Sequence, residues 1–479
     1  MVPVTDIRQG PVADEEVELR DEEDERRRAA AAKGRASRTP PHLESEEARH
    51  AGSVTMHTSP AHGRDIVART EAEVIGQSPV ERTAAGETVE PEQELMTINM
   101  GPHHPATHGV LRLLVSLQGE VVKDLKPIMG YVHTGIEKSC EDKSYWKVIP
   151  FVERMDYLSY FFNMQAFCGA VEKLLELEIP RRAQYLRVIH LELNRLHSHL
   201  VWLGTSALDL GAMSMFFYCF RDRDRILDLF EMSAGQRMHT RYFQVGGVAE
   251  DIPMGFEQRV LDFCDEFPSR IDQFEALLTN NEIFLQRTKG IGVVSRERLL
   301  ALGVTGPLLR AAGEPWDLRK VAPYLSYADH DFDIPIGTVG DGWDRFRCRI
   351  QEMRESVKII RQAVEGLPDG PWIADDRKIV LPPRHELSTS MEALIHHFKL
   401  VTEGFRVPPG ETYHPIESPR GELGCFVVAD GSAKPARVHF RDPSFVNLQA
   451  LKDMCVGEYV ADLIQTLAML DPILGGIDR

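Results

Sequence analysis

No two of the seven cysteines lie three residues apart, so the chain has no CxxC pair. Cys140, Cys168, Cys219, Cys264, Cys348, Cys425 and Cys455 are scattered and odd in number, which fits reduced thiols better than a disulfide framework. The same scatter argues against a structural zinc or an iron–sulfur cluster held by this chain alone. No GxxxxGK[ST] occurs. "GIGVVS", 290–295, lacks the third glycine and the ribose-binding acid of a dinucleotide fingerprint. Positive charge is scarce: 55 Lys and Arg against 73 Asp and Glu leave a net charge of −18, so nucleic acid is not an expected partner. The chain opens polar and charged, without the apolar core of a secretory signal. Its most apolar stretch, 200–220, is broken by Gly204, Asp209 and Gly211. A carboxylate in mid-membrane is costly, so this stretch reads as two buried helices meeting near Asp209–Gly211. Any membrane association is then expected to be peripheral.

What is present divides at about residue 92. Residues 1–92 carry an acidic run, a basic run and then Ser, Thr, Pro and Gly without apolar periodicity, the composition of a disordered charged extension. From 93 to 479 one ordered domain is expected. "LMTINM", "GVLRLLVSLQG" and "EVVKDLKPI" read as three strands of a small antiparallel sheet, with a Gly119–Glu120 turn. From about 143 the pattern is helical. Tyr157, Phe161, Met164, Cys168, Val171 and Leu175 form an apolar stripe. A helix after Pro180 sets Tyr185, Ile189, Leu193, Leu196 and Leu200 on one face. Its other face carries Arg187, His190, Asn194 and His197 and is expected to contact another subunit. A further stripe runs from Trp343 to Val364 and ends at Gly366 and Pro368. "GCFVVADGSAKPARVHF" reads as a hairpin turning at Asp430–Gly431, followed by two short helices. The fold class is therefore α+β, mostly helical.

Three histidines crowd "GPHHPATHG", 101–109. His104 and His108 have the i, i+4 spacing of a helical ligand pair, but Pro105 pushes His104 into extended geometry and Gly109 breaks the other end. No cysteine or carboxylate nearby completes a metal set. A histidine satisfied by backbone groups and a proton-handling histidine both remain open. Asp209 bears on the choice. A buried carboxylate needs a hydrogen-bonding or positive partner, and a histidine is a natural one. "DHDFDIPIGTVG" starts like a calcium loop but has Ile334 where glycine is needed and Gly340 where a bidentate acid is needed. His190 and His197, two helical turns apart, do not have zinc-pair spacing.

"GPHHPATHGVLRL", "GYVHTGIEK", "ERMDYLSYFFN", "HSHLVWLGTSALDLGAM", "RDRDRILDLFEMSAGQRMH", "ESPRGELG", "PSFVNLQAL" and "DPILGGIDR" occur in order. Together they resemble the D subunit of proton-pumping NADH:quinone oxidoreductase, respiratory complex I, over about 94–479. That family is related to the large subunit of nickel–iron hydrogenases. The resemblance implies a hydrogenase-like helical core with small antiparallel sheets from the N- and C-terminal parts. It also implies that Asp156 and Ser159, with Ile473 and Gly476, stand where hydrogenases place metal-binding cysteines. It further implies that His108 and Tyr157 grip the two carbonyl oxygens of a quinone headgroup. Asp209 would then stand behind the histidine and Thr205 would form a wall. Arg154 and His239 would lie beside an iron–sulfur cluster carried by the B subunit. His103 stands where the family usually has Gln, and Ala106 where Ser is common.

The chain itself is expected to bind no metal or cofactor, with NAD bound elsewhere in the complex. The implied partners are the B and C subunits, the iron–sulfur I subunit, and the membrane-arm A and H subunits, on the cytoplasmic face of the cell membrane. Two other readings compete: the large subunit of a membrane-bound hydrogenase, which lacks its cysteines here, and a non-catalytic scaffold paralogue.

Overall fold

The structure, a computed structural model, describes residues 95–479; the expected extension, 1–92, lies outside the described residues. Three strands open the described chain: β1 (Met96–Met100), β2 (Arg112–Gln118) and β3 (Val121–Ile128). They form an antiparallel sheet in the order β1-β2-β3, as the alternating sequence predicts. Gly119, at φ +62°, makes the tight turn between β2 and β3. Leu113, Val115 and Leu117 of β2 are buried, and they pack with residues from the far end of the chain.

The helical middle begins earlier than expected, with α1 (Ile136–Glu141) and α2 (Tyr145–Val152). α3 (Tyr160–Leu175), α4 (Arg181–Asp209) and α5 (Met213–Ala234) follow. Two short strands, β4 (Phe243–Gln244) and β5 (Gly247–Val248), then lead to α6 (Phe256–Leu278). Four short helices come next: α7 (Glu282–Gln286), α8 (Arg296–Ala301), α9 (Pro307–Ala311) and α10 (Leu318–Val321). The long α11 (Gly342–Glu365) carries the stripe read from Trp343 to Val364, and Asp341 caps its N-terminus by accepting from the Asp344 amide. α12 (Met391–Thr402) precedes the second sheet.

That sheet has three strands rather than a single hairpin: β6 (Gly410–Ser418), β7 (Gly421–Ala429) and β8 (Arg437–Arg441). β6 escapes a sequence reading because Pro415 interrupts it, and an edge strand tolerates the missing N–H. Four helices, not two, close the chain: α13 (Pro443–Leu448), α14 (Leu451–Cys455), α15 (Val460–Leu470) and α16 (Leu474–Asp478). They are short, and only α15 is long enough for periodicity to reveal. They pack beneath the first sheet, and the Val122 amide and carbonyl bond to Glu458 and Gly457. The two ends of the described chain thus meet.

The polar face of α4 does not turn outward to another subunit. Arg187, His190, Asn194 and His197 are fully buried, because α4 is enclosed by α3, α5 and α11. Burial is tolerated because these polar groups find partners within the chain. Arg187 pairs with Glu172 at 2.6 Å and donates to the Gly247 carbonyl. His190 bonds the Leu186 carbonyl and the Ser233 hydroxyl, each at 2.8 Å. A second ionic network crosses the interior. Arg310 joins Glu352 at 2.6 Å to Glu417 at 2.7 Å, and Arg319 joins Asp317 to Glu192. Burial pushes the Glu192 carboxyl up, but Arg195, Arg319 and the Tyr327 and Ser356 hydroxyls outweigh it and hold it at about 2.

Candidate functional site

The histidine-rich loop is the connection from β1 to β2. His104 is extended, at φ −136° and ψ 133°, and its Nδ1 accepts from the Ala106 amide at 3.2 Å. That bond caps a single 3₁₀ turn, Pro105–Thr107, so the i, i+4 helical pair does not form. Thr107 is buried, and its hydroxyl donates to the His104 carbonyl at 3.0 Å. The turn ends with His108 in the left-handed region, φ +54°, its amide bonded to the Pro105 carbonyl. Gly101 must be glycine: a Cβ there would strike the Leu111 carbonyl and lie 2.6 Å from Thr107 Oγ1.

Tyr157 lies in a turn between α2 and α3, not on the helical stripe. The reason is Asp156. Its Oδ1 accepts from the Leu158 and Ser159 amides, each at 3.1 Å, and this side-chain turn delays the helix to Tyr160. The buried polar face of α4 holds the turn from behind. Asn194 Nδ2 donates to the Leu158 carbonyl at 3.0 Å, and His197 Nδ1 lies 3.3 Å from the same oxygen. His197 Nε2 accepts from Arg223, and burial first, then that guanidinium, push its pKa down to about 3.

His108 and Tyr157 line one cavity of about 560 Å³. Val110, Val132, Ile136, Phe151 and Leu474 make its walls mostly apolar, with Thr134, Ser139 and Arg154 as further polar groups. Such a pocket, greasy with a few directed donors, suits a flat apolar ring bearing polar oxygens. Gly475 closes one side: a Cβ there would lie 3.2 Å from Tyr157 Cδ1 and 3.3 Å from Cε1. His108 opens toward the cavity, yet surrounding protein desolvates it. That desolvation, with the Arg420 charge second, lowers its pKa. Desolvation likewise raises the Tyr157 hydroxyl, helped by Asp156 and Asp471 and opposed by Arg420.

A second, more polar cavity of about 650 Å³ shares Arg154 with the first and includes Glu153, His239, Thr240 and Arg241. Arg154 and His239 thus line the same space. Burial, then the Arg154 charge, lower the His239 pKa. Glu153 does not stand out in the sequence. It is buried, neither carboxyl oxygen has a hydrogen-bond partner, and burial pushes it up to about 7.

The other two expected residues lie apart from the lining. Thr205 is on α4, where its hydroxyl donates back to the Val201 carbonyl at 2.9 Å. Asp209 is the last residue of α4 and is exposed, not buried. It makes no hydrogen bond to His108. Partial desolvation raises its pKa, and the charge that opposes this is His104. The apolar run around it misleads because its apolar residues also face outward: Met213 is 59% and Phe217 64% exposed.

At the four positions of the hydrogenase comparison, Asp156 and Ser159 both accept from the Arg420 guanidinium at 2.9 Å. The space a side chain would take at Gly476 holds the Asp442 carboxylate. Arg420 is the other residue that sequence reasoning passed over. Its signal was a lone arginine between Pro419 and Gly421 at a hairpin tip.

Comparison with known proteins bears on what this cavity serves. The profile of the family described as "Respiratory-chain NADH dehydrogenase, 49 Kd subunit" matches residues 209–479. The chain is 55% identical over 410 residues to one D subunit of NADH-quinone oxidoreductase from Solibacter usitatus, covering 86% of this chain and 100% of that protein. It is 56% identical over 391 residues to a D subunit of the same enzyme from Roseiflexus sp., covering 81% and 94%. With the NADH-quinone oxidoreductase D subunit of Acidothermus cellulolyticus it shares 51% identity over 402 residues, 80% and 91% of the two chains.

Proposed function

The chain belongs to the D-subunit family of NADH-quinone oxidoreductase, the respiratory-chain 49 kDa subunits, and from that premise we propose that the His108–Tyr157 cavity receives the quinone headgroup. The observation that carries the reading is the meeting of these two donors in one largely apolar cavity, although 49 residues separate them in sequence (157 − 108). Reduction of a quinone to a quinol takes two electrons and two protons. The raised Tyr157 hydroxyl keeps its proton at neutral pH and donates a hydrogen bond to one carbonyl oxygen. His108, its pKa lowered, is neutral at rest and donates from its protonated ring nitrogen to the other. Both bonds strengthen as negative charge grows on the quinone oxygens, and this lowers the barrier.

An iron–sulfur cluster carried by the B subunit would supply the electrons from the side of Arg154 and His239. Asp209, expected behind His108, feels the charge of His104 on the same loop, and Thr205 stands one helical turn before Asp209. Tyr157 gives one proton, and His108 relays the other, taking a proton from water on one ring nitrogen as it gives one from the other. The proton deficit left at Tyr157 then biases a movable element toward the proton-translocating membrane arm. The exposed apolar corner of Leu208, Met213, Phe217 and Tyr218 supports packing against a partner subunit there. No helix among the described residues is long and apolar enough to cross a membrane, which fits peripheral attachment at the cytoplasmic face through the A and H subunits. The B, C and I subunits complete the peripheral arm, with NAD bound elsewhere and no cofactor held by this chain.

The test uses membranes carrying the assembled complex with Tyr157→Phe or His108→Ala. NADH oxidation with an artificial upstream acceptor should persist, while quinone reduction falls by about 10²-fold. Normal quinone reduction in both variants would sink the reading.

A further inference from the structure

Arg420 sits at the tip of the β6–β7 hairpin with 1% of its surface exposed, and it lines neither cavity. Its guanidinium makes four hydrogen bonds to two separate chain segments. Nη1 donates to Asp156 Oδ2 and to the Ser159 hydroxyl, each at 2.9 Å. Nε donates to the Asp471 carbonyl at 3.0 Å, and Nη2 to Asp471 Oδ1 at 3.2 Å. The first segment carries Tyr157 between its two anchors. The second leads within four residues to Gly475, whose backbone lies against the Tyr157 ring. One guanidinium therefore ties together the two walls between which that ring is held. The hairpin tip is held as well, since Asn447 Nδ2 donates to the Arg420 main-chain carbonyl at 3.1 Å.

We propose that Arg420 is a positioning residue for quinone reduction, clamping the Tyr157 turn against the Gly475 wall and presenting a fixed positive charge behind both headgroup donors. The inference rests on the quinone reading of the cavity. The charge reaches both donors: it lowers the pKa of His108 and works against the rise at Tyr157. The other ionisable groups facing this region are Asp156, Asp471 and Asp442 around the guanidinium, Arg349 beside Asp471, Arg479 near Asp442, His197 behind the Tyr157 turn and Arg154 at the cavity edge. Arg420 is the cation among them that acts on both donors. A lysine supplies the charge but not the planar fork, so the two duties can be separated.

The experiment measures quinone reduction against pH in membranes carrying the assembled complex, scaled to NADH oxidation with an artificial upstream acceptor. Arg420→Lys should lose about tenfold in kcat/KM for quinone because the tyrosine is less well held. Its alkaline limb should stay where the wild-type limb lies, because the charge remains. Arg420→Gln should lose at least as much, and its alkaline limb should move to higher pH, since the Tyr157 hydroxyl, no longer beside the Arg420 charge, holds its proton more tightly. An unmoved limb in Arg420→Gln, or the same displacement in both variants, overturns the proposal.

If Arg420→Gln does not assemble, Arg420→Lys and Ser159→Ala decide. Each should lower kcat/KM with the limb in place, and wild-type kinetics in both overturns the proposal. Tyr157→Phe is run beside them. Normal kinetics in Tyr157→Phe refutes the quinone reading itself, whereas an impaired Tyr157→Phe with a normal Arg420→Gln refutes only the role of Arg420.

Discussion

Replacing Gly475 with alanine adds one methyl group at the wall of the cavity. The Cβ would strike the Met155 carbonyl oxygen and stand 3.2 and 3.3 Å from two carbons of the Tyr157 ring. Contacts of the latter kind are tighter than nine in ten real Cβ contacts, and the former is backbone that cannot rotate away. Relief requires one wall to move. α16 is anchored by Asp478, whose carboxylate accepts from the Gly130 and Val132 amides at 2.8 and 2.9 Å. The opposite wall is pinned by Arg420 and by Asn194. Overpacking between two anchored walls costs about 1–3 kcal/mol of stability. A shift of the tyrosine by roughly 1 Å costs on the order of 10²-fold in rate, equivalent to about 2.7 kcal/mol of transition-state stabilisation.

The assay is kcat/KM for quinone in the assembled complex, scaled to NADH oxidation with an upstream acceptor. Gly410→Ala is the control, because its Cβ would meet only Leu174 Cδ2 at 3.5 Å, an ordinary contact. Quinone kinetics within twofold of wild type in Gly475→Ala, with full assembly, would refute the argument that the ring is held between these walls.

Three further outcomes are expected. Glu153→Gln should raise the thermal midpoint at pH 8 more than at pH 6. A carboxyl raised to about 7 contributes fully below its unfolded value and loses that contribution as pH rises through 7, by up to about 3 kcal/mol; a pH-independent difference would contradict this. Arg310→Met leaves Glu352 and Glu417 buried without their shared cation and should cost about 3–5 kcal/mol, seen as a lower melting temperature or lost assembly. All seven cysteines are buried, and the thiols of Cys140 and Cys348 are pushed up to about 12, so a thiol reagent at pH 8 should label none of them until denaturant is added. Rapid labelling of the native chain would contradict the burial.

Periodicity reports faces, and it served where an element is long or alternates cleanly. β1 to β3, α4, α11 and the β7–β8 hairpin were legible for that reason, as was the mixed class with helices in the majority. Local stereochemistry was legible too: Pro105 and Gly109 rule out the helical histidine pair, and His104 takes the extended geometry that Pro105 requires. The short closing helices and β6 were not legible, since a helix of five or six residues has no readable period and Pro415 disguises an edge strand.

The sequence by itself determined the family, through motifs dense enough to be specific, and with it the expectations that His108 and Tyr157 act together and that Arg154 pairs with His239. Only the tertiary structure decided their surroundings. Hydropathy averages over both sides of a segment, so it buried Asp209, which is exposed. It also sent Arg187, His190, Asn194 and His197 toward another subunit, although groups within the chain bury them. Arg420 and Glu153 were invisible for the same reason. Their meaning lies in groups distant in the chain, and a charge becomes informative only when folding removes the water that would otherwise screen it.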